Sequence, residues 1–173
     1  MTDLNHNVAD HDCRKYKSLA LLAEALDKAR QPEEALRVLE EALAMAGRNG
    51  ERYYEAELHR LKGALLVKRS AGRVLAQAAT GGKAVVEAES TAVANVESCF
   101  HESIQIAQRQ KAKSLELRAV ISIARLYQKQ GKQAEAGGLL AQIYNRFSEG
   151  LDTKDLRDAK ALLEDLSYGM SST

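Results

Sequence analysis

Apolar residues at three/four spacing recur in this chain as paired runs, each pair interrupted by only a few residues, and this pattern constrains the fold more than any other feature. In KSLALLAEALDKARQPEEALRVLEEALAMAG the first run is Leu19, Leu22, Ala23 and Leu26, and the second is Ala35, Leu36, Leu39, Ala42 and Leu43. Residues three or four apart share one side of an α-helix, so each run predicts an amphipathic helix with one apolar face. The break Ala-Arg-Gln-Pro-Glu-Glu is short enough to demand a reversal, and the pair reads as an antiparallel hairpin. Pro32 suits the first turn of the second helix, where its missing N–H costs nothing, and Glu33 and Glu34 suit the positive end of that helix.

The same periodicity continues after Gly47 and Gly50 through Tyr54, Leu58, Leu61, Leu65 and Leu66, then through Val96, Phe100, Ile104 and Ala107. It resumes at Leu117, Val120, Ile123, Ala124 and Tyr127, and again after Gly131 at Ala136, Leu139, Leu140, Ile143 and Phe147. Gly137 and Gly138 weaken that last run by about 1 kcal/mol each relative to alanine. Thr153 is placed to cap a final helix with the face Leu156, Ala159, Leu162, Leu163 and Leu166. The predicted fold class is all-α: an α-α superhelix of about three helical hairpins plus a C-terminal capping helix. One domain is expected over 15–166, preceded by a loosely ordered leader, 1–14, and followed by a fraying tail, 167–173. The stretch 70–91, rich in Ala, Gly, Val, Ser and Thr and broken at Gly81 and Gly82, reads as a flexible insertion with a short helix on either side of the glycines. A chain of 173 residues can bury a core without disulfides or metal, and one proline and eight Phe and Tyr residues favour helices.

Two of the hairpins superpose as sequence. Aligned on Ala35, the first offers Leu19, Leu22, Ala23, Leu26, Ala35, Leu39 and Ala42; aligned on Ala136, the third offers Val120, Ile123, Ala124, Tyr127, Gly131, Ala136 and Leu140. The middle unit has Gly63 in the small-residue slot, but its second helix, with Val96, Phe100 and Ser103, arrives about twenty residues late for a repeat of roughly 34. Small residues recur because paired helices approach closely only where a small side chain faces a large one. This pattern resembles the tetratricopeptide repeat. The stretches ALLAEALDKARQPEEAL, GERYYEAELHRLKGALL, ESCFHESIQIAQRQKAKSLELRAVISIARLYQKQGKQAEAGGLL and FSEGLDTKDLRDAKALL resemble a narrower group as well. That group is the C-terminal tetratricopeptide region of bacterial signalling proteins carrying a predicted ATPase module, some with an adenylate cyclase or a DNA-binding regulator domain. The resemblance implies framework residues; the chain contains no ATPase or cyclase module, so neither activity carries over.

Residue chemistry points away from catalysis. The run Thr80-Gly81-Gly82-Lys83 fails as a phosphate loop because Gln77 and Ala84 stand where glycine and Ser or Thr are required. His6, His11 and Cys13 lie close in sequence without a second ligand pair at zinc spacing, so no metal site is expected. His59 and His101 each sit alone in a helix, and Cys99 beside Phe100 reads as a small buried hydrophobe. Tyr53 and Tyr54 read as an apolar anchor between hairpins. No enzyme activity and no cofactor are expected. A formal charge of +1 gives no global attraction to nucleic acid or an anionic membrane, and no stretch approaches the roughly 18 apolar residues of a membrane span. The polar opening MTDLNHNVADHDCRKYK and two unpaired thiols, Cys13 and Cys99, predict a cytoplasmic protein.

What remains is a surface. In a tetratricopeptide stack the first helix of each unit lines the concave face, which here would carry Lys17, Glu24, Asp27 and Lys28, then Glu57, Arg60, Ala64 and Lys68, then Arg118, Ile121, Arg125, Gln128 and Lys129. Arg118, Arg125 and Lys129 share a face without an acid among them, which suits a partner protein's acidic segment or C-terminal carboxylate. Two alternatives stand beside this: homodimerisation through an uncapped N-terminal end, and a detached regulatory region of a signalling ATPase or adenylate cyclase.

Overall fold

The computed structural model describes residues 3–49, 52–78, 85–150 and 152–170, with side chains described over 15–48, 52–72, 93–150 and 152–168. Among these the chain is all-helical: α1 (Asp3–Lys28), α2 (Pro32–Asn49), α3 (Glu55–Ala78), α4 (Val85–Arg109), α5 (Lys113–Lys129), α6 (Gln133–Tyr144) and α7 (Lys154–Met170). Pro32 is the first residue of α2, with Glu33 and Glu34 in its first turn, where both charge and the missing donor are tolerated. At the start of α7 the Arg157 N–H is accepted by the Thr153 carbonyl at 3.0 Å, so the helix begins at the expected residue.

Three of the turns are built alike. Arg30, Lys111 and Gly131 each take a left-handed backbone, with φ of 60°, 55° and 79°. In each case the next residue's N–H reaches back across the turn: Gln31 to the Leu26 carbonyl, Ala112 to Ala107 and Lys132 to Tyr127, all at 2.9 Å. The left-handed residue's own N–H goes to Asp27, Gln108 or Gln128, at 3.0 to 3.1 Å. This is the Schellman ending, which satisfies carbonyls a helix terminus would leave bare. The residue that closes one helix also opens the next, since the carbonyls of Gln31, Ala112 and Lys132 accept the N–H groups of Ala35, Glu116 and Ala136.

The chain divides into two compact units, Met1–Ser103 and Ile104–Thr173, where the sequence predicts one domain over 15–166. In the first unit α1, α2 and α3 touch one another. Tyr16, Ala20 and Ala23 of α1, Ala35, Leu36, Leu39, Ala42 and Ala46 of α2, and Leu58, Leu61 and Leu65 of α3 form its core. Each fully buried leucine contributes about 1.5–3 kcal/mol. Glu33 meets Arg69 and Glu40 meets Lys62, so a step forward along α2 is a step back along α3, and the two are antiparallel. The described part of α4 lies antiparallel to α3: the Ser103 hydroxyl donates to the Ala56 carbonyl at 2.6 Å, and Phe100 packs over Gly63. In the second unit α5, α6 and α7 likewise touch one another. Leu117, Val120, Ile123, Ala124 and Tyr127 of α5, Ala136, Leu140 and Ile143 of α6, and Leu156, Ala159, Leu162 and Leu166 of α7 are all buried.

Four expectations change. Residues 3–14 are helical rather than a loose leader, because nothing between Asp3 and Arg14 is glycine or proline and an acid at a helix start is favourable. The insertion 70–91 does not form separate short helices on either side of its glycines: α3 runs on to Ala78 and α4 starts at Val85, making helices of 24 and 25 residues. Alanine-rich sequence propagates an existing helix readily. Gly81 and Gly82 lie outside the described residues. In the tail, α7 continues through Met170. Leu22, expected in the core, is exposed, since the buried side of α1 is set by Tyr16, Ala20 and Ala23.

Candidate interaction surface

On the first unit half of the residues expected to bind a partner are engaged with one another. Arg60 donates from Nε and Nη2 to the two carboxylate oxygens of Glu57, at 2.9 and 2.7 Å. Both residues are largely buried, so this bidentate pair is a packed part of α3 and not a cation awaiting a ligand. Lys68 pairs with Asp27, joining α3 to α1. Lys17 and Lys28 are exposed and Glu24 is half-buried, all on α1.

On the second unit Arg118 Nε lies 2.7 Å from Asp155 Oδ2, which brings α7 to α5 and sets an acid beside Arg118. Ile121 is only 6% exposed and belongs to the core, so it offers no contact surface. Arg125 and Lys129, one helical turn apart, are exposed and make no ion pair among the described residues. Gln128 is half-buried beside them. The basic face expected from three cations is therefore carried by two.

Below this surface the second unit holds a polar knot. The Glu116 carboxylate is buried in the first turn of α5; it accepts from Arg146 Nη1 at 2.9 and 3.0 Å and from Gln108 Nε2 at 2.9 Å. Three hydrogen-bond contacts from two donors, one of them charged, offset the cost of burying the carboxylate. Its partners occupy the end of α4 and the residues just after α6, so the contact fixes where α5 begins.

The first unit contains the only group of reactive residue types among the described side chains that come close together: His59, Cys99, Glu102 and Lys62. His59 Nδ1 stands 2.9 Å from Glu102 Oε2, but the contact is one of distance without hydrogen-bond alignment. Burial holds the imidazole's pKa below its ordinary 6.5, and Glu102, Glu55 and Lys62 modify that shift. Burial likewise pushes the Cys99 thiol up, so it stays protonated, as a small apolar side chain does. Tyr54 is half-buried against the core as an anchor, whereas Tyr53 is 68% exposed. The side chains of His6, His11 and Cys13 and the run Thr80–Lys83 lie outside those described. No described helix is long and apolar enough to cross a membrane.

No protein-family model, curated protein or solved structure matches the chain. The surface must therefore be judged on its own chemistry. Sequence reasoning missed Asp155, which lies 37 positions from Arg118 and carries no signal until α7 is known to pack on α5. It also missed the exposed apolar side of α1, because Leu22 fits the helical period of a core position.

Proposed function

We propose that this chain is a non-catalytic tetratricopeptide-like interaction module that holds an acidic segment of a partner protein against Arg125 and Lys129 on α5. The observation that carries the repeat reading is the repeated turn. Ala35 and Ala136, the two positions on which the sequence units align, each stand five residues beyond a left-handed residue, Arg30 and Gly131, with the same set of turn hydrogen bonds. Both alanines are fully buried, as close helix contact within a hairpin requires. The choice of partner rests on Arg125 and Lys129, two exposed cations on rigid helix with no acid satisfying them. A carboxylate-rich peptide would complete their charge and gain a fixed geometry. A buried protonated thiol and a histidine held neutral by burial give little support to nucleophilic or acid–base chemistry. The signalling context is what the family resemblance implies, and the cytoplasmic location what the polar opening and the two unpaired thiols imply.

Selection from a displayed random-peptide library tests this reading. The wild-type chain is expected to enrich Asp- and Glu-rich peptides that R125E/K129E does not retain. Enrichment of the same peptides by the double variant would move the site elsewhere.

A further inference from the structure

The outward side of α1 is apolar over several turns. Ser18, Leu21, Leu22, Ala25 and Ala29 are all exposed, with Leu21 at 56% and Leu22 at 47%. Pairing of this face with the same face of a second copy covers it on both chains and closes as a two-fold dimer.

The charges beside the leucines say how the copies meet. Lys17 lies four residues before Leu21 and Glu24 three residues after it, seven apart and so on one edge of the face. Neither makes an ion pair among the described residues. In a parallel pair like charges would share a level. In an antiparallel pair centred between Ala20 and Leu21, each Lys17 comes opposite the other copy's Glu24, giving two reciprocal ion pairs at the rim of an apolar contact. The small side chains of Ser18 and Ala25 let the two backbones approach. We propose that α1 is a homodimerisation helix, pairing antiparallel with α1 of a second copy about a centre between Ala20 and Leu21, with Lys17 and Glu24 setting the orientation. Two residues that fit a partner-binding face by spacing alone are thereby assigned to self-recognition. This inference stands on α1 and is independent of the acidic-peptide reading of α5.

Sedimentation velocity of the full chain over a concentration series tests it, with circular dichroism confirming unchanged helix content in each variant. The wild type is expected to reach twice the 19.0 kDa of one chain. Leu21→Glu should leave a monomer, while K17E and E24K should each weaken dimerisation about tenfold. The K17E/E24K swap should restore it, because the reciprocal pairs re-form with their signs exchanged. A wild type that stays monomeric, growth beyond a dimer, a dimer indifferent to Leu21→Glu, or a swap that fails to rescue would each overturn the proposal.

Discussion

Gly63 shows what a single atom decides in this chain. A Cβ built there would lie 2.7, 2.9 and 3.1 Å from three carbons of the Phe100 ring, which is itself almost fully buried and cannot swing aside. Alanine would gain about 1 kcal/mol of helix propensity and lose about 1–3 kcal/mol to overpacking, so Gly63→Ala should lower stability by up to about 2 kcal/mol in urea unfolding. Adding Phe100→Leu should recover part of that loss, and an unchanged midpoint in the single variant would mean the ring yields. The small-residue slot at Gly63 was legible from the repeat pattern; that Phe100 fills it was not, because the long insertion hides which residue of α4 comes opposite. His59 makes a second prediction. Its folded pKa is depressed, so below 6.5 the unfolded chain binds a proton that the folded chain resists, and stability is lost as pH falls through that window. Thermal unfolding at pH 7.5 and 5.5 should show a larger acid loss for the wild type than for His59→Gln; equal losses would exclude His59 as the source.

At the scale of the element, the recurrent turn is what links α1 to α2, α4 to α5 and α5 to α6. Gly131 occupies its left-handed position at little cost, but Arg30 and Lys111 hold the same conformation with a Cβ, which costs about 1 kcal/mol each. Arg30→Gly and Lys111→Gly should therefore stabilise the protein by roughly 0.5–1 kcal/mol, and Gly131→Ala should destabilise it by a similar amount, read as shifts in the urea midpoint. A loss of stability in both glycine variants would mean that those side chains make contacts outweighing the backbone strain. Helix existence and pairing were legible because apolar spacing and short breaks act locally, and Pro32 and Gly131 mark turns by their own stereochemistry. Arg30 and Lys111 carry no such mark; the hydrogen bonds around them impose the left-handed turn. Ion pairs such as Arg118 with Asp155, or Lys68 with Asp27, were not legible, since each joins helices far apart in sequence.

At the scale of the whole molecule, several of the cations expected to bind a partner are paired with acids of the chain itself. Among the described residues, Arg60, Arg118 and Lys68, three of the cations expected to bind a partner, are held by Glu57, Asp155 and Asp27, while Ile121 is core. Spacing alone could not tell which of these residues another side chain neutralises or which is buried. With a net charge of +1, bulk electrostatics gives no partner preference, so on the proposed reading selectivity falls to the local pair Arg125 and Lys129. The account is tested most directly by fluorescence anisotropy of a labelled acidic peptide, selected on the wild type, titrated with wild type and with R125E/K129E at matched helix content. About tenfold weaker binding by the double variant, with wild-type affinity falling as salt rises, is the predicted result. Equal affinity of the two proteins for that peptide would contradict it.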